Sequence, residues 1–262
     1  MRWWLPLFAS GVDALRVAVV GDAGDPTATQ RRVLADVSAS RPDVVVTTGD
    51  NAYEDGMASA DDEARIWGSF RPEIFWGVPG NHDHRADPTA PSFVPARHYV
   101  RWLSPDVQLV GIDTTPLLFP ERGYWNPRGL SPRWGWIERA LRAPKPRWRV
   151  VVGHHPVHSA TKHCDEGREA KARLDALLRG RVDVYLAGHT HCFEECDLDQ
   201  GLRYVTVGSS ARINDVHTVC PREQPHCRAR HETGWAMLTL TTEAVDVVWH
   251  RVTVLGPKDD TE

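Results

Sequence analysis

Short apolar runs and amphipathic stretches alternate along most of this chain. Leu15–Gly21 (LRVAVVG), Val44–Thr48, Ile74–Val78, Val107–Ile112, Arg149–Val152 and Val182–Ala187 are short and rich in β-branched residues, which predicts buried strands. Between them, Thr29–Ala39 sets Val33, Leu34 and Val37 on one helical face. Asp61, Asp62 and Glu63 suit the first turn of a helix that continues through Trp67, because carboxylates favour the positive end of the helix dipole. Ser131–Leu141 predicts a helix with Pro132 near its start, and Arg168–Leu178 one with Leu174, Leu177 and Leu178 turned inward. Pro88, Pro91 and Pro95 make 84–97 a surface loop by the same reading. Beyond Leu202 the pattern gives only short strands, including Trp235–Leu240 and Val245–Arg251. Alternation followed by strands alone predicts an α/β fold, a mixed sheet flanked by helices.

The 262 residues, 41% of them hydrophobic and 25% charged, suffice for one large α/β domain or two small ones. The net charge is −4 with both signs interspersed, so no basic block marks a nucleic-acid surface. No apolar run approaches the roughly 18 residues of a membrane span. Residues 1–14 read equally as an N-terminal extension or as a short signal-like segment, with Arg2 before the apolar Trp3–Ala9. Export to a periplasmic or extracellular space and a cytoplasmic location are therefore equally open, and so is the oligomeric state. Of five cysteines, Cys220 and Cys227 are spaced to close a small ring and Cys192 and Cys196 lie four apart, which leaves one unpaired within the chain. The spacing excludes a structural zinc finger.

Five strand ends run directly into polar tetrads. They are Gly21-Asp22-Ala23-Gly24, Gly49-Asp50-Asn51-Ala52 with Tyr53 following, Gly80-Asn81-His82-Asp83, Gly153-His154-His155-Pro156 and Gly188-His189-Thr190-His191. Side chains beyond the carboxyl ends of strands in an α/β sheet can converge without disturbing the core. A glycine before each polar group lets the chain turn sharply. One such tetrad is ordinary turn chemistry; five in succession point to one site. Two carboxylates, a phenol, an amide oxygen and three imidazoles form a thiolate-free O/N donor set suited to Fe, Mn or Zn. Seven donors exceed one coordination sphere and suit two ions that share a carboxylate.

The motifs GDAG, GDNAY, GNHD, VVGHHP and GHTH, in that order, resemble those of the calcineurin-like metallophosphoesterase superfamily. Tyr53, three residues after Asp50, is similar to the tyrosine of the purple acid phosphatases of the short, tartrate-resistant type. The resemblance covers about Leu15 to Ser209, with weaker matches at Asp83-His84-Arg85 and at Ile112–Thr114. It implies a four-layer α/β sandwich, two mixed sheets packed face to face with helices outside, in a single domain over residues 15–262. It also implies two metal ions. Asp22, Tyr53 and His191 would hold an iron(III), and Asn81, His154 and His189 a divalent Fe, Zn or Mn, with Asp50 bridging.

By the same resemblance, a small phosphate monoester would be attacked by a metal-bound hydroxide at mildly acid pH. His82 would hold substrate oxygen or protonate the leaving group, with Asp83 orienting it, and His163 would be a second acid. His155, with His158 and His84, could line the entrance or be ordinary surface histidines, and Cys192 is expected to point into the core. The segments 114–131 and Gly208–Arg212 (GSSAR) depart from the family pattern. Two other readings stand beside the phosphatase: a Mn- or Zn-dependent phosphodiesterase or nucleotidase, and a metal-retaining binding protein without turnover.

Overall fold

The structure, a computed structural model, describes residues 14–68, 70–198, 201–213, 220 and 226–253. Most of the N-terminal segment read above as 1–14 lies outside them. The strands are β1 (Ala14–Val20), β2 (Val44–Thr47), β3 (Phe75–Gly77), β4 (His98–Ser104), β5 (Val107–Ile112), β6 (Trp148–Val152), β7 (Val184–Ala187), β8 (Phe193–Asp197), β9 (Arg203–Val207), β10 (Cys227–Arg230), β11 (Gly234–Thr241) and β12 (Val245–Arg251). The helices are α1 (Ala28–Ser40), α2 (Ala60–Trp67), α3 (Thr115–Leu118), α4 (Trp134–Arg142) and α5 (Arg168–Leu178).

Two mixed sheets result. One runs β12-β11-β1-β2-β3, the other β10-β8-β9-β7-β6-β5-β4. β1, β2 and β3 are mutually parallel, as are β5, β6, β7 and β9. The period of two along each strand sorts residues between three cores. Val17, Val19, Val44 and Val46 meet Leu109, Val150, Val152 and Leu186 between the sheets. Ala18, Val20 and Val45 face the other way, onto Val33, Leu34 and Val37 of α1 and Ile66 and Trp67 of α2. Val110, Val151 and Tyr185 face Ile137 and Leu141 of α4 and Leu174, Leu177 and Leu178 of α5. The helices thus cover both outer faces, completing the four-layer sandwich.

Several local expectations change. The stretch 84–97 is not simply a surface loop. His84, Phe93 and Val94 are buried, Phe93 stacks on Phe75 at 4.1 Å, and its carbonyl accepts from Gly77 N at 2.9 Å. α4 begins three residues later than read: Arg133, at φ −111° and ψ 49°, lies outside helical geometry, and the first turn closes on its carbonyl. β4, β8 and β10 carry too many polar residues to read as strands. Arg101 in β4, for example, is stabilised by Trp76, with the guanidinium 4.8 Å over the ring.

The cysteines pair as Cys164–Cys220 and Cys196–Cys227, with Cys192 free and buried. The Cys220–Cys227 ring is thereby corrected. Antiparallel pairing of β10 with β8 sets Cys227 directly opposite Cys196, a proximity that only the register creates.

Candidate metal centre

The carboxyl ends of β1, β2, β3, β6 and β7 lie at one rim of the sandwich, and the tetrads that follow them meet there. Among the described residues, five non-glycine residues have left-handed φ; four are Asp22 (55°), Asp50 (49°), His189 (70°) and His191 (43°). The candidate ligands themselves take the strained turn, a conformation that persists only where surrounding structure enforces it. Of the glycines before the ligands only Gly49 turns left-handed, at φ 102°. Others make room instead: a Cβ on Gly80 would lie 2.1 Å from Asp50 Oδ1, and one on Gly188 2.3 Å from Asp22 Oδ2.

Two groups of donors adjoin. In the first, the Tyr53 hydroxyl is 3.1 Å from Asp22 Oδ1 and 2.9 Å from His191 Nε2, and His191 Nε2 is 3.3 Å from Asp22 Oδ1. In the second, His154 Nε2 is 3.0 Å from Asn81 Oδ1 and 3.4 Å from Asp50 Oδ1, and the His189 ring lies 5.1 Å from that of His154. Donor atoms of Asp22, Asp50 and His154 all fall within 4.8 Å of one another, joining the groups.

The tautomers suit cation binding. His154 Nδ1 donates to the Thr48 carbonyl at 2.9 Å, which leaves Nε2 bare toward Asn81 and Asp50. His189 Nε2 donates to Glu166 Oε2 at 2.8 Å, which leaves Nδ1 bare. Asp22 and Asp50 are buried carboxylates, each fixed by a backbone N–H (His189 N to Asp22 Oδ2 at 2.8 Å, His82 N to Asp50 Oδ1 at 3.0 Å), and two buried carboxylates beside bare imidazole nitrogens suit a cation. Burial opposes ionisation of Asp50, but His154, His82 and His189 together hold its carboxyl below the usual range. Burial first, and then Asp22, push the Tyr53 phenol well above its ordinary value, so without a cation it stays protonated. Burial likewise depresses His189, to about 4, keeping it neutral and able to ligate.

His82 faces this centre. Its backbone N–H donates to Asp50 Oδ1 at 3.0 Å, and its Nε2 is 4.0 Å from Asp50 Oδ2. Its Nδ1 is held by the Glu54 carbonyl at 3.0 Å. His163 sits on a 3-10 turn over Lys162–Asp165, with its ring 4.3 Å from His189. Its Nδ1 bonds Glu166 Oε1 at 2.6 Å, so Glu166 spans both histidines. Sequence reasoning missed Glu166, whose only signal was its place three residues after His163. It missed Arg212 as well, which lies 4.3 Å over the Tyr53 ring and bonds Asp25 and Glu54 at 2.7 and 2.9 Å.

Other histidines and Asp83 fall elsewhere than expected. Asp83 is not the partner that orients the His82 ring, whose Nδ1 is held by the Glu54 carbonyl. Its buried carboxylate accepts from the backbone N–H of Gly80, Asn51 and Ala52, clamping two ligand loops together. His84 is buried against Asp113 at 2.9 Å and lines no entrance, whereas the half-buried His158 pairs with Asp175 of α5 at 3.1 Å. His155 is buried, with Nδ1 held by Thr114 Oγ1 at 2.8 Å and its ring 4.5 Å from His189. Cys192 points into the core as expected, where burial pushes its thiol up to about 12.

Residues 15–193 match the calcineurin-like phosphoesterase family. Purple acid phosphatase 4 of Arabidopsis thaliana is 32% identical over 197 residues, 64% of this chain and 58% of that protein. The chain thus spans less than two thirds of that relative's length. The 3',5'-cyclic adenosine monophosphate phosphodiesterase CpdA of Escherichia coli strain K12 is 29% identical over 221 residues, 77% of this chain and 73% of that one. The purple acid phosphatase PPD1 from yellow lupin (Lupinus luteus) seeds superposes with a TM-score of 0.66 at 16% identity, over 93% of this chain and 54% of that chain, and so shares the fold. The chain belongs to the calcineurin-like phosphoesterase family, with purple acid phosphatases among its relatives.

Proposed function

We propose that this protein is a binuclear metallophosphatase that hydrolyses small phosphate monoesters at mildly acid pH. Asp22, Tyr53 and His191 would hold an iron(III), Asn81, His154 and His189 would hold a divalent Fe, Zn or Mn, and Asp50 would serve both. The carrying observation is the convergence of the Tyr53 hydroxyl with Asp22 and His191, at 3.1 and 2.9 Å, beside the His154–Asn81–Asp50 group. When bound, such a pair of ions supplies charge neutralisation at phosphate oxygens and an acidified water.

His82 acts on the leaving group. The Glu54 carbonyl holds its Nδ1 at 3.0 Å, which turns Nε2 toward Asp50 and the leaving-group side of the site. Glu166 holds the His189 ring through Nε2 and fixes its ligating tautomer. His163, whose Nδ1 bonds the other carboxylate oxygen at 2.6 Å, is the second acid. The two disulfides suit work in an oxidising compartment.

Metal analysis and a visible spectrum on one purified sample test this reading. Two metals per chain including iron, with a phenolate charge-transfer band, are expected. The relationship to CpdA favours phosphodiester hydrolysis as the second reading. A colourless, iron-free and fully active sample that prefers diesters would establish it over the first.

A further inference from the structure

Beyond His82 the wall of the site is built from aromatic rings. Tyr53 and His82 lie 4.5 Å apart, His82 and Trp125 5.3 Å, and Trp125 and Tyr124 4.5 Å, centroid to centroid. This file begins at a candidate ligand and ends at the surface, where Tyr124 is 68% exposed.

The loop that carries it, between α3 and α4, is held in shape. Asn126 is buried; its Nδ2 donates to the Phe119 and Leu130 carbonyls at 3.0 Å, and its Oδ1 accepts from Leu130 N at 2.8 Å. Gly123 and Asn126 exchange backbone hydrogen bonds of 3.2 and 3.1 Å. From below, Arg85 places its guanidinium 4.4 Å over the Tyr124 ring and 5.1 Å over Trp125, and donates to the Tyr124 hydroxyl. With one face of Tyr124 covered by Arg85, an exposure of 68% leaves the other face open. Glu54 and Asp55 lie 3.7 and 3.6 Å from Arg85 and neutralise its charge, so the wall is a stacking surface and not an anion site. Rigid exposed rings contribute little to stability, and their fixed aim at a site marks a binding role.

We infer that Trp125 and Tyr124 form a platform that stacks a planar leaving group, so that aryl or nucleoside phosphates are selected over alkyl and polyol phosphates. This rests on the phosphoester reading above. A leaving oxygen that faces His82 directs the group it carries toward His82's next neighbour, Trp125. A flat π-system gains dispersion and quadrupole attraction there, whereas a flexible polyol gains little.

The test uses metal-replete protein with Trp125→Leu and Tyr124→Leu. Calorimetry gives the affinities of phenylphosphonate and methylphosphonate, and kinetics give kcat/KM for phenyl phosphate, a nucleoside 5'-monophosphate and glycerol phosphate. The unaltered protein should prefer phenylphosphonate by about 5- to 160-fold, the range expected of one stacked ring. Trp125→Leu should collapse that ratio and the phenyl-over-glycerol ratio in kcat/KM. If the nucleoside ratio falls most on Tyr124→Leu, the platform serves a nucleobase; if only the phenyl ratio falls, it serves an aryl ester. Unaltered ratios in both variants, including equal losses on every substrate, would overturn the platform. Phenylphosphonate preference in a protein that hydrolyses no phosphoester would retain the platform and reject the phosphatase reading.

Discussion

Asp83 gives the most quantitative test of how the centre is built. Its Oδ2 accepts from Gly80 N at 2.7 Å, Asn51 N at 3.1 Å and Asn51 Nδ2 at 2.9 Å, while Oδ1 accepts from Asn51 N at 3.0 Å and Ala52 N at 3.2 Å. Asp83→Ala orphans three buried backbone N–H groups at about 1–3 kcal/mol each, so a loss of about 3–5 kcal/mol is expected after partial relaxation. In Asp83→Asn an amide oxygen in the Oδ2 position keeps Gly80 and Asn51 satisfied. The amide nitrogen then faces Ala52 N, and one orphan costs about 1–2 kcal/mol. The neutral amide also escapes the burial of charge, which together with Asp50 pushes the Asp83 carboxyl up to about 7. Urea unfolding of metal-free protein, with midpoints shifted and slopes unchanged, measures both values. Because the clamp joins the Asp50 loop to the Asn81 loop, Asp83→Ala should also bind fewer than two metals per chain. A metal-free loss below about 1 kcal/mol for Asp83→Ala would refute the account, since even one orphaned N–H costs that much.

Tyr53→Phe keeps the ring packing but removes one donor, so iron retention should weaken and any visible band vanish while hydrolysis falls only in part; an unchanged band removes Tyr53 from the ligand set. His82→Ala should keep metals and slow alkyl phosphates more than activated aryl phosphates, the reverse of the Trp125 pattern; equal losses would leave His82 a positioning role only. Burial pushes His98 down to about 4 from 6.5, so as pH falls through that window the unfolded chain takes up a proton that the native one refuses. Stability should drop there by up to ~1.4 kcal/mol per pH unit, and His98→Gln should flatten the drop; parallel curves for the two proteins would exclude this cause. Cys196→Ser with Cys227→Ser should cost about 2–4 kcal/mol in thermal or urea unfolding, and no change would mean that β8–β10 pairing is held without the bond.

Apolar periodicity alone placed β5 and α5 at their ends and most other elements within a few residues, because burial of one face is a local property written along the chain. The donor identities of the candidate centre were legible for the same reason, since each follows its strand directly. What sequence could not contain was distance. Asp83 read as a partner of His82 and became a clamp between two loops, because Asn51 and Ala52 approach it only when β2 and β3 lie side by side. The glycines read as turns, but several are there because a neighbouring ligand occupies the space a Cβ would need. Cys227 found Cys196 through strand register, and Trp125 found His82 through a loop closed by Asn126. Contacts between residues far apart in the chain arise only when the sheets pack and bring those segments together. Periodicity reports which face a residue buries, and tertiary structure decides which residue it meets there.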